Sequence, residues 1–353
     1  METTPLLLTV FSLLSIVMAQ DTSAASPQKT FPKPDFSLHD SDKKEEKTRT
    51  VLGPMTTDKH GRTTGSFAVY GGLPIQVSSL SFSSDGKLLA VGSTPSHVEI
   101  WDIENRKKLR SFDYGATVAL SPDGHTFATN GRDVRVWDVS SGKLLKTIPW
   151  SGGTILRLAF DNTGTRLLVS ANGDQDVVFD IIAGQRIAIL TNTQKAQFSR
   201  DGALVIGGNA KHLIVWSTKD WSELQDVPNG PDYVTAFAVR PEKDLVVIGG
   251  SKSARLVRLS SGEEVGKVGE GYTNFTAFDQ SGSMVLTYTS SGFAIWDTTG
   301  RRLCGASDIG NGTMALSAND RWLASAPTGK ATDVMIWDFQ TLSRACRAAA
   351  TTN

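Results

Sequence analysis

Aspartate recurs along this chain in one sequence context, directly after a short apolar segment that ends in an aromatic residue. The recurring positions are Asp102, Asp138, Asp180, Asp297 and Asp338. A ring of carboxylates can bind a divalent cation or act as a general acid and base, so these residues are the first candidates for chemistry. Each one, however, begins its own polar turn, where an Asp side chain typically accepts hydrogen bonds from backbone N–H groups. We therefore predict structural Asp residues at separate turns, with no metal and no cofactor.

The sequence contains no other recognisable constellation of catalytic residues. It has five histidines and two cysteines, but no nucleophile elbow, no zinc-binding His pair, no Cys pair at metal-binding spacing and no glycine loop that would hold a phosphate before a helix. The glycine pairs at 207–208 and 249–250 follow apolar segments and are interpreted as turn residues. The sequence therefore predicts a protein that is not an enzyme.

A seven-fold repeat sets the positions of these residues. Each unit has a short apolar strand, a tight turn such as Asp85-Gly86, a second apolar strand and a third strand that ends on the aromatic position. That position is occupied in turn by Trp101, Trp137, Phe179, Trp216, Val257, Trp296 and Trp337, at intervals of 36 to 42 residues. Apolar residues alternate within the strands, so each sheet has faces that only a neighbouring unit can cover. The spacing predicts an all-β, seven-bladed β-propeller of four-stranded antiparallel blades.

Two segments carry a resemblance to a known family. Residues 121–124 read SPDG and residues 136–143 read VWDVSSGK, and similar segments recur in phase from about residue 70 to residue 347. The chain resembles the WD-repeat β-propeller family, which implies a ring of blades around a central channel that acts as a rigid platform for partners. The Gly-His pair that usually precedes the first strand is absent, and with it the buried His–Asp network. The sequence is therefore more similar to a divergent, exported bacterial form than to a eukaryotic scaffold.

Aromatic and basic residues fall on loops that form the top face in that family, its usual partner-binding surface. Tyr114, Tyr233 and Tyr272 each lie seven residues before the polar residue that closes the first strand, and Tyr70 and Trp150 lie in loops of the same class. The loops between the second and third strands carry the cations Arg132, Lys211, Lys252 and Lys330. Stacking area and polar anchors together suit a protein or peptide, in particular an acidic one, or a glycan. The alternative is that the tyrosines only cover the ends of blade interfaces.

The two cysteines, Cys304 and Cys346, are predicted to be unpaired. They lie seven residues after Asp297 and eight residues after Asp338, which places both on outer strands of adjacent repeats. Outer strands of neighbouring blades diverge, whereas a disulfide needs Cα atoms within about 7 Å of each other. A bond would form only if the C-terminal segment folded back.

The two ends of the chain are expected to lie outside the repeats. Residues 1–19 contain an apolar run of about fifteen residues, which is short for a membrane span, and are interpreted as a secretory signal peptide, with an uncleaved anchor as the alternative. Residues 20–60, rich in proline and mixed charge, are predicted to be a disordered polar linker. The propeller is assigned to 61–347, with Thr63 to Tyr70 completing the last blade, and 348–353 to a tail.

The charge balance limits the classes of partner. Lys plus Arg and Asp plus Glu number 36 each, whereas a protein that neutralises many phosphates normally has a basic excess. We therefore expect no nucleic-acid partner and, after signal cleavage, no membrane span. The sequence predicts a secreted or periplasmic monomer that binds a protein without enzymatic activity. The alternatives are a hydrolase or lactonase with a site at the channel mouth, and a structural component of the cell envelope.

Overall fold

The structure, a computed structural model, describes residues 34–38, 56–57, 63–64, 69–70, 73–74, 76–209, 212–228, 233–240, 242, 244–306, 312–327 and 334–351. Within those ranges there are thirty-two strands, β1 to β32, and one helix, α1. Twenty-eight of the strands form seven four-stranded antiparallel sheets, and the other four form two short two-stranded ribbons. The predicted all-β, seven-bladed propeller of four-stranded antiparallel blades is confirmed, within the compact unit Phe31–Asn353.

The blades follow one another along the chain, and the strands of each are called a to d in their order of pairing. Blade 1 comprises β6 (Gln76–Phe82), β7 (Leu88–Thr94), β8 (His97–Asp102) and β9 (Lys107–Phe112). Blade 2 comprises β10 (Val118–Leu120), β11 (Thr126–Thr129), β12 (Val134–Asp138) and β13 (Leu144–Ile148). Blade 3 comprises β14 (Ile155–Phe160), β15 (Arg166–Ala171), β16 (Gln175–Asp180) and β17 (Gln185–Thr191). Blade 4 comprises β18 (Lys195–Phe198), β19 (Leu204–Gly208), β20 (His212–Ser217) and β21 (Glu223–Pro228).

The remaining strands complete the ring and the two ribbons. Blade 5 comprises β22 (Ala236–Arg240), β23 (Leu245–Gly249), β24 (Ser253–Arg258) and β25 (Glu264–Glu270). Blade 6 comprises β26 (Thr273–Phe278), β27 (Met284–Thr289), β28 (Gly292–Asp297) and β29 (Arg302–Ala306). Blade 7 comprises β30 (Gly312–Leu316), β31 (Trp322–Pro327), β32 (Val334–Asp338) and β1 (Phe36–Leu38). The ribbons are β2 (Thr56–Thr57) with β3 (Thr63–Thr64), and β4 (Val69–Tyr70) with β5 (Leu73–Pro74).

A buried polar residue closes strand a of every blade and starts the turn to strand b. These closing residues are Ser83, Ser121, Asp161, Ser199, Arg240, Asp279 and Ser317. In six blades the side chain accepts a hydrogen bond from the first residues of strand b; the Leu88 N–H, for example, donates to Ser83 Oγ at 3.0 Å. Gly86 in this turn of blade 1 has a φ of 69°, which explains the predicted Asp-Gly signal. In blade 5, Arg240 instead donates to the Asp279 and Gln280 carbonyls of blade 6.

The repeated aromatic position coincides with a recurrent β-bulge. In blades 1 to 6 the pairing of strands c and d shifts register directly before this position, at Trp101, Trp137, Phe179, Trp216, Val257 and Trp296. A bulge increases the local twist of a strand, and here it occurs where the side chain enters the interface with the preceding blade of the ring. Trp101 and Trp216 are both 5% exposed and pack in apolar clusters shared by neighbouring blades.

The strand that closes the ring differs from the predicted one. β1 pairs antiparallel with β32, with Phe36 opposite Ile336, and the Phe36 ring lies 5.9 Å from the Trp322 ring. The segment Thr63 to Tyr70 was expected in this place, but β3 and β4 in that segment pair only within the two ribbons. A strand from the N-terminal side therefore closes the ring, as predicted. However, this strand comes from the region that was interpreted as a polar linker. Phe36 and Leu38 alternate around Ser37, and this short alternation was obscured by the surrounding proline and charged residues.

Helix α1 (Phe339–Thr351) follows β32 directly. It differs from two predictions, which concern the C-terminal tail and the two cysteines. Asp338 accepts a hydrogen bond from the Thr341 N–H at 2.8 Å and caps the helix, and Phe339, Leu342 and Cys346 are buried in a cluster shared with blades 6 and 7. The C-terminal segment is therefore not a surplus tail. The prediction of two unpaired thiols is also wrong, because Cys346 forms a disulfide with Cys304 on β29, with 5.3 Å between the Cα atoms. The helix folds back over blade 6 instead of continuing as an outer strand.

Candidate functional site

The first strands of the seven blades surround a central channel, part of which is a cavity of about 800 Å³. Every blade contributes to its wall the residue four positions before the closing residue of strand a. These seven residues, here called the channel ring, are Ser79, Thr117, Arg157, Lys195, Ala236, Phe275 and Thr313. Because the offset from the closing residue is the same in each blade, the seven side chains lie at one level of the channel. Two neighbouring members, from blades 3 and 4, are cations.

The two cations of the channel ring have neutral hydrogen-bond partners. Arg157 Nη2 lies 3.4 Å from Gln197 Oε1, and Lys195 Nζ donates to the Thr235 carbonyl at 2.6 Å. Arg157 is exposed to the channel, but the protein around the channel partly desolvates its guanidinium, and this desolvation lowers the pKa of Arg157. Burial, reinforced by the charge of Arg157, likewise lowers the pKa of Lys195. The described residues that line the cavity include no Asp, Glu or His side chain.

A buried carboxylate, Asp176, lies behind this wall on β16 of blade 3. It is 0% exposed, and its Oδ2 accepts a hydrogen bond from Thr193 Oγ1 at 3.0 Å, whereas its Oδ1 has no partner among the described residues. Burial raises the pKa of Asp176 to about 6, although hydrogen bonds from Thr193 and Ser170 and the charge of Arg157 act in the opposite direction. Asp176 therefore carries only a partial compensating charge for Arg157 near pH 6.

The cavity lies towards the face that carries the loops entering strand a and the loops between strands b and c, called the top face. Gln194, Tyr272 and Ser290, which belong to these loops, are among its lining residues. On the opposite, bottom face the Arg200 side chain of blade 4 donates a hydrogen bond to the Ala318 carbonyl of blade 7. Blades 4 and 7 are not neighbours in the ring, so this side chain crosses the channel. The Arg200 side chain therefore obstructs part of the channel at the bottom face, whereas loops of the top face border the cavity.

The residues of the predicted aromatic rim lie in different environments in the structure. Tyr272 lines the channel cavity and is 48% exposed, and Tyr233 is 65% exposed. Tyr114 is half-buried instead: the guanidinium of Arg135 lies 3.7 Å from the centre of its ring, and its hydroxyl donates to the Asp133 carbonyl at 3.3 Å. Tyr114 therefore packs on Arg135 and Trp137 of blade 2. The side chain of Tyr70 lies outside the described residues.

Trp150 lines a second pocket, of about 520 Å³, on the top face beside blade 3. Its ring lies 6.4 Å from that of Phe179, and its Nε1–H donates to the Gly153 carbonyl at 2.7 Å. Asp174 and Arg186 line the same pocket, which therefore contains one charge of each sign. This arrangement holds the indole in a fixed orientation and leaves the pocket beside it electrically balanced.

Only two of the four cations of the predicted basic rim lie within the described residues. The two cations of the channel ring were not among the predicted site residues. Arg132 and Lys252 are exposed but do not line the channel cavity, whereas Lys211 and Lys330 lie outside the described residues. The cations predicted for the rim belong to loops, whereas Arg157 and Lys195 belong to strand a. The signal that could have found them is the fixed offset of four residues from the closing residue, because it aligns both with Ser79, Thr117 and Thr313.

The recurring Asp residues lie at separate turns and bind backbone groups there. The side chains of Asp102, Asp138, Asp180, Asp297 and Asp338 accept hydrogen bonds from backbone N–H groups two to four residues later. Hydrogen bonds from the hydroxyl and the backbone N–H of Ser141, together with one from the Ser140 hydroxyl, lower the pKa of Asp138 to about 2. Within the described part of the chain, no group of three or more His, Cys, Asp or Glu residues is arranged to hold a metal ion.

Two of the repeated Trp residues keep a polar partner on strand b. Trp137 Nε1 donates to Thr129 Oγ1 at 3.0 Å, and Trp296 Nε1 donates to Thr287 Oγ1 at 2.8 Å. In blade 3, the Asp176 carboxylate accepts a hydrogen bond from the hydroxyl of Thr193, which lies in the loop that enters strand a of blade 4.

Comparison with known proteins identifies WD-repeat domains. The family model of the anaphase-promoting complex subunit 4 WD40 domain matches residues 69–121. The transcriptional corepressor LEUNIG_HOMOLOG of Arabidopsis thaliana is 26% identical over 193 residues, which cover 52% of this chain and 24% of that protein. A U3 small nucleolar RNA-associated protein 15 homolog of Xenopus laevis is 27% identical over 200 residues, covering 52% of this chain and 38% of that protein. A WD repeat-containing protein 91 homolog of Dictyostelium discoideum is 30% identical over 126 residues, covering 32% and 16%. The chain thus spans less than two fifths of the length of each.

These relatives contradict the predicted localisation. They are eukaryotic proteins, two of them named for transcriptional corepression and for association with a small nucleolar RNA, so the expectation of a secreted or periplasmic protein is wrong. The apolar run that suggested export, residues 1–19, lies outside the described residues. Helix α1, the one helix among the described residues, is not long and apolar enough to cross a bilayer.

Proposed function

Because this chain belongs to the WD-repeat β-propeller family, we propose that it is a non-enzymatic protein-interaction platform whose partner docks on the top face, over the mouth of the central channel. The observation that carries this proposal is the composition of the mouth. Two accessible tyrosines, Tyr233 and Tyr272, lie on loops of that face, and Tyr272 also lines a cavity whose wall contains two cations. Accessible aromatic side chains beside cations are characteristic of protein-binding hot spots.

The electrostatics of the mouth favour an acidic partner segment. Arg157 and Lys195 face a cavity whose described lining contributes no carboxylate, so the potential in the channel is positive even though the whole chain is neutral. A partner with Asp or Glu residues would be attracted to the mouth and would reduce the repulsion between the two cations. The rigid blades below the loops reduce the entropy that would be lost on docking. We expect the protein itself to be a monomer.

The experiment is a quantitative affinity purification from native cells with matched variants. Wild type, the double variant Tyr233→Ser/Tyr272→Ser and the control Ile182→Ser are used as baits, and bound proteins are quantified by mass spectrometry. Ile182 is 77% exposed on the turn between strands c and d of blade 3, on the bottom face. The control substitution therefore removes an accessible apolar side chain and leaves the mouth unchanged. Partners that depend on the mouth should be depleted with the double variant and retained with Ile182→Ser.

The result that contradicts the proposal is a partner set that both variants retain equally, or that both lose. Purified protein is then titrated with an acidic peptide and with the same sequence in which Gln and Asn replace the acidic residues. Binding of the acidic peptide alone supports the proposed partner chemistry. Binding of a neutral oligosaccharide instead of either peptide would assign the rim to a glycan and would overturn the protein-binding assignment.

A further inference from the structure

The channel ring places two like charges side by side in a confined space. Arg157 and Lys195 occupy equivalent positions of adjacent strands a, and neither has a carboxylate partner within ion-pair distance in the described structure. Two neighbouring cations in a partly desolvated site repel one another more strongly than they would in water. The lowered pKa values of both groups reflect this burial and, for Lys195, this repulsion. A ligand with negative charge would offset both the repulsion between the two cations and their loss of hydration.

Hydroxyl groups with no protein partner extend this positively charged wall. Thr117 precedes Arg157 in the channel ring, and neither its hydroxyl nor that of Thr313 makes a hydrogen bond within the described residues. Thr276, also on the wall, is 8% exposed, and its Oγ1 is buried without a partner among those residues. A buried hydroxyl that finds no protein partner is unfavourable unless water or a ligand satisfies it. The hydroxyls of Thr117 and Thr313, which belong to partly exposed residues, are therefore available as donors to a ligand that accepts hydrogen bonds.

The carboxylates nearest to this wall, those of Asp176 and Asp174, do not line the cavity. Asp176 is buried behind Arg157 and bound to Thr193, and it is absent from the cavity lining. Asp174 lies at the rim, where Gln194 Nε2 is 3.4 Å from its Oδ1, and it lines the Trp150 pocket rather than the channel. The charges that face the ligand position are thus those of Arg157 and Lys195.

We propose that the channel binds a phosphoryl group between Arg157 and Lys195, carried either by a free phosphate-bearing small molecule or by a phosphorylated side chain of a docked protein. A phosphoryl group carries a charge of about −1.5 to −2 at pH 7 and three acceptor oxygens, so it matches two cations, whereas a carboxylate brings one charge and two oxygens. The guanidinium fork of Arg157 can bind two of those oxygens, and the ammonium of Lys195 can bind the third. A cavity of about 800 Å³ also leaves room for the group that carries the phosphate. This inference goes beyond the proposed function, because it concerns the cavity below the mouth and holds whether or not a protein docks on the rim.

The test is calorimetric titration of the full chain with inorganic phosphate, with a phosphoserine peptide and with the same peptide unphosphorylated. The variants are Arg157→Gln and Lys195→Gln, and the matched control is Arg344→Gln, which removes a cation exposed on helix α1 outside the ring. Each channel variant should weaken binding at least about tenfold, since a charge-assisted hydrogen bond is lost, and the control should bind as the wild type does. The melting temperature of the wild type should also rise with phosphate, a measurement that needs no variant.

The two arms separate the sources of the phosphoryl group. Binding of inorganic phosphate that depends on Arg157 assigns the site to a small molecule, and binding of the phosphopeptide alone assigns it to a docked protein. Binding of neither ligand, or equal affinity in the wild type and in both channel variants, overturns the inference. Because these titrations use purified protein and leave Tyr233 and Tyr272 intact, their failure is independent of the outcome of the affinity purification.

Discussion

Replacing Asp176 with asparagine should make the protein more stable at pH 8 and should leave its stability nearly unchanged at pH 4. Asparagine has the same shape as aspartate, and its side-chain oxygen can still accept the hydrogen bond from Thr193 Oγ1. It carries no charge, so the penalty for burying an ionised carboxylate in a residue that is 0% exposed disappears.

The magnitude follows from the raised pKa. Asp176 has a pKa of about 6 in the folded protein, against 3.8 for an unperturbed Asp. Between these two values the folded state keeps the proton and the unfolded state has lost it, so stability falls as the pH rises through this interval. Above pH 6 the carboxyl group is ionised in both states, and the whole difference between its folded and unfolded pKa values is then lost from the stability. This loss is about 3 kcal/mol in the wild type. Asp176→Asn should recover up to this amount.

Differential scanning calorimetry at pH 4, 6 and 8 measures the effect, with an expected rise in melting temperature on the order of 5 °C at pH 8. Asp138→Asn is the control of opposite sign. The pKa of Asp138 is lowered to about 2, so its carboxylate stabilises the fold above the unfolded pKa of 3.8, and the variant should be less stable at pH 8. A lower melting temperature for Asp176→Asn than for the wild type at pH 8 would refute the reasoning, since it would mean that Arg157 more than offsets the desolvation of Asp176.

Three further predictions concern the packing and the chain ends. Cys346→Ser opens a disulfide that joins residues 42 positions apart, which should lower the free energy of unfolding by roughly 4 kcal/mol; reductant should lower the calorimetric melting temperature of the wild type and leave the variant unchanged. Thr129→Val leaves the indole N–H of Trp137 without its acceptor and should cost about 1–3 kcal/mol in urea denaturation, so an unchanged midpoint would show that water replaces the bond. Tyr114→Ser should lower the melting temperature because Tyr114 packs on side chains of blade 2, whereas Tyr272→Ser should not; equal effects of the two would contradict their assignment to different environments.

Most of the fold could be predicted from the sequence because the same pattern of residues recurs in every blade, where the same packing is required. Period-two strands, the Asp-Gly turns and the aromatic position each recur, so seven copies reinforce a signal that would be weak in one. The ring closure has no such copies. β1 is three residues long and lies between charged and proline-rich stretches, and its pairing with β32 is selected by the open edge of blade 7 rather than by local sequence.

The C-terminal helix and the channel ring were missed for different reasons. Phe339, Leu342 and Cys346 follow a helical spacing of three and four residues, but the segment was aligned with the outer strands of the other repeats, and that alignment hid the change of period. Arg157 and Lys195 lie on strands a and not on the loops that form the predicted rim. Their inward orientation depends on a register counted from the closing residue, and that residue is defined by its hydrogen bond to strand b, which the structure shows.

Closure of the ring by β1 has a consequence for the order in which the protein folds. Phe36 and Ile336 are 300 positions apart (336 − 36), so β1 leaves the ribosome first but cannot pair until blade 7 has been synthesised. Contacts of such sequence separation form slowly, because the loop-closure entropy must be overcome before the pairing stabilises it. Until then the outer edge of β32 has unpaired backbone groups that can bind another nascent chain. The disulfide and helix α1 secure blade 6 at the same late stage, so the final fifth of the chain determines whether a nearly complete propeller becomes a closed one or aggregates.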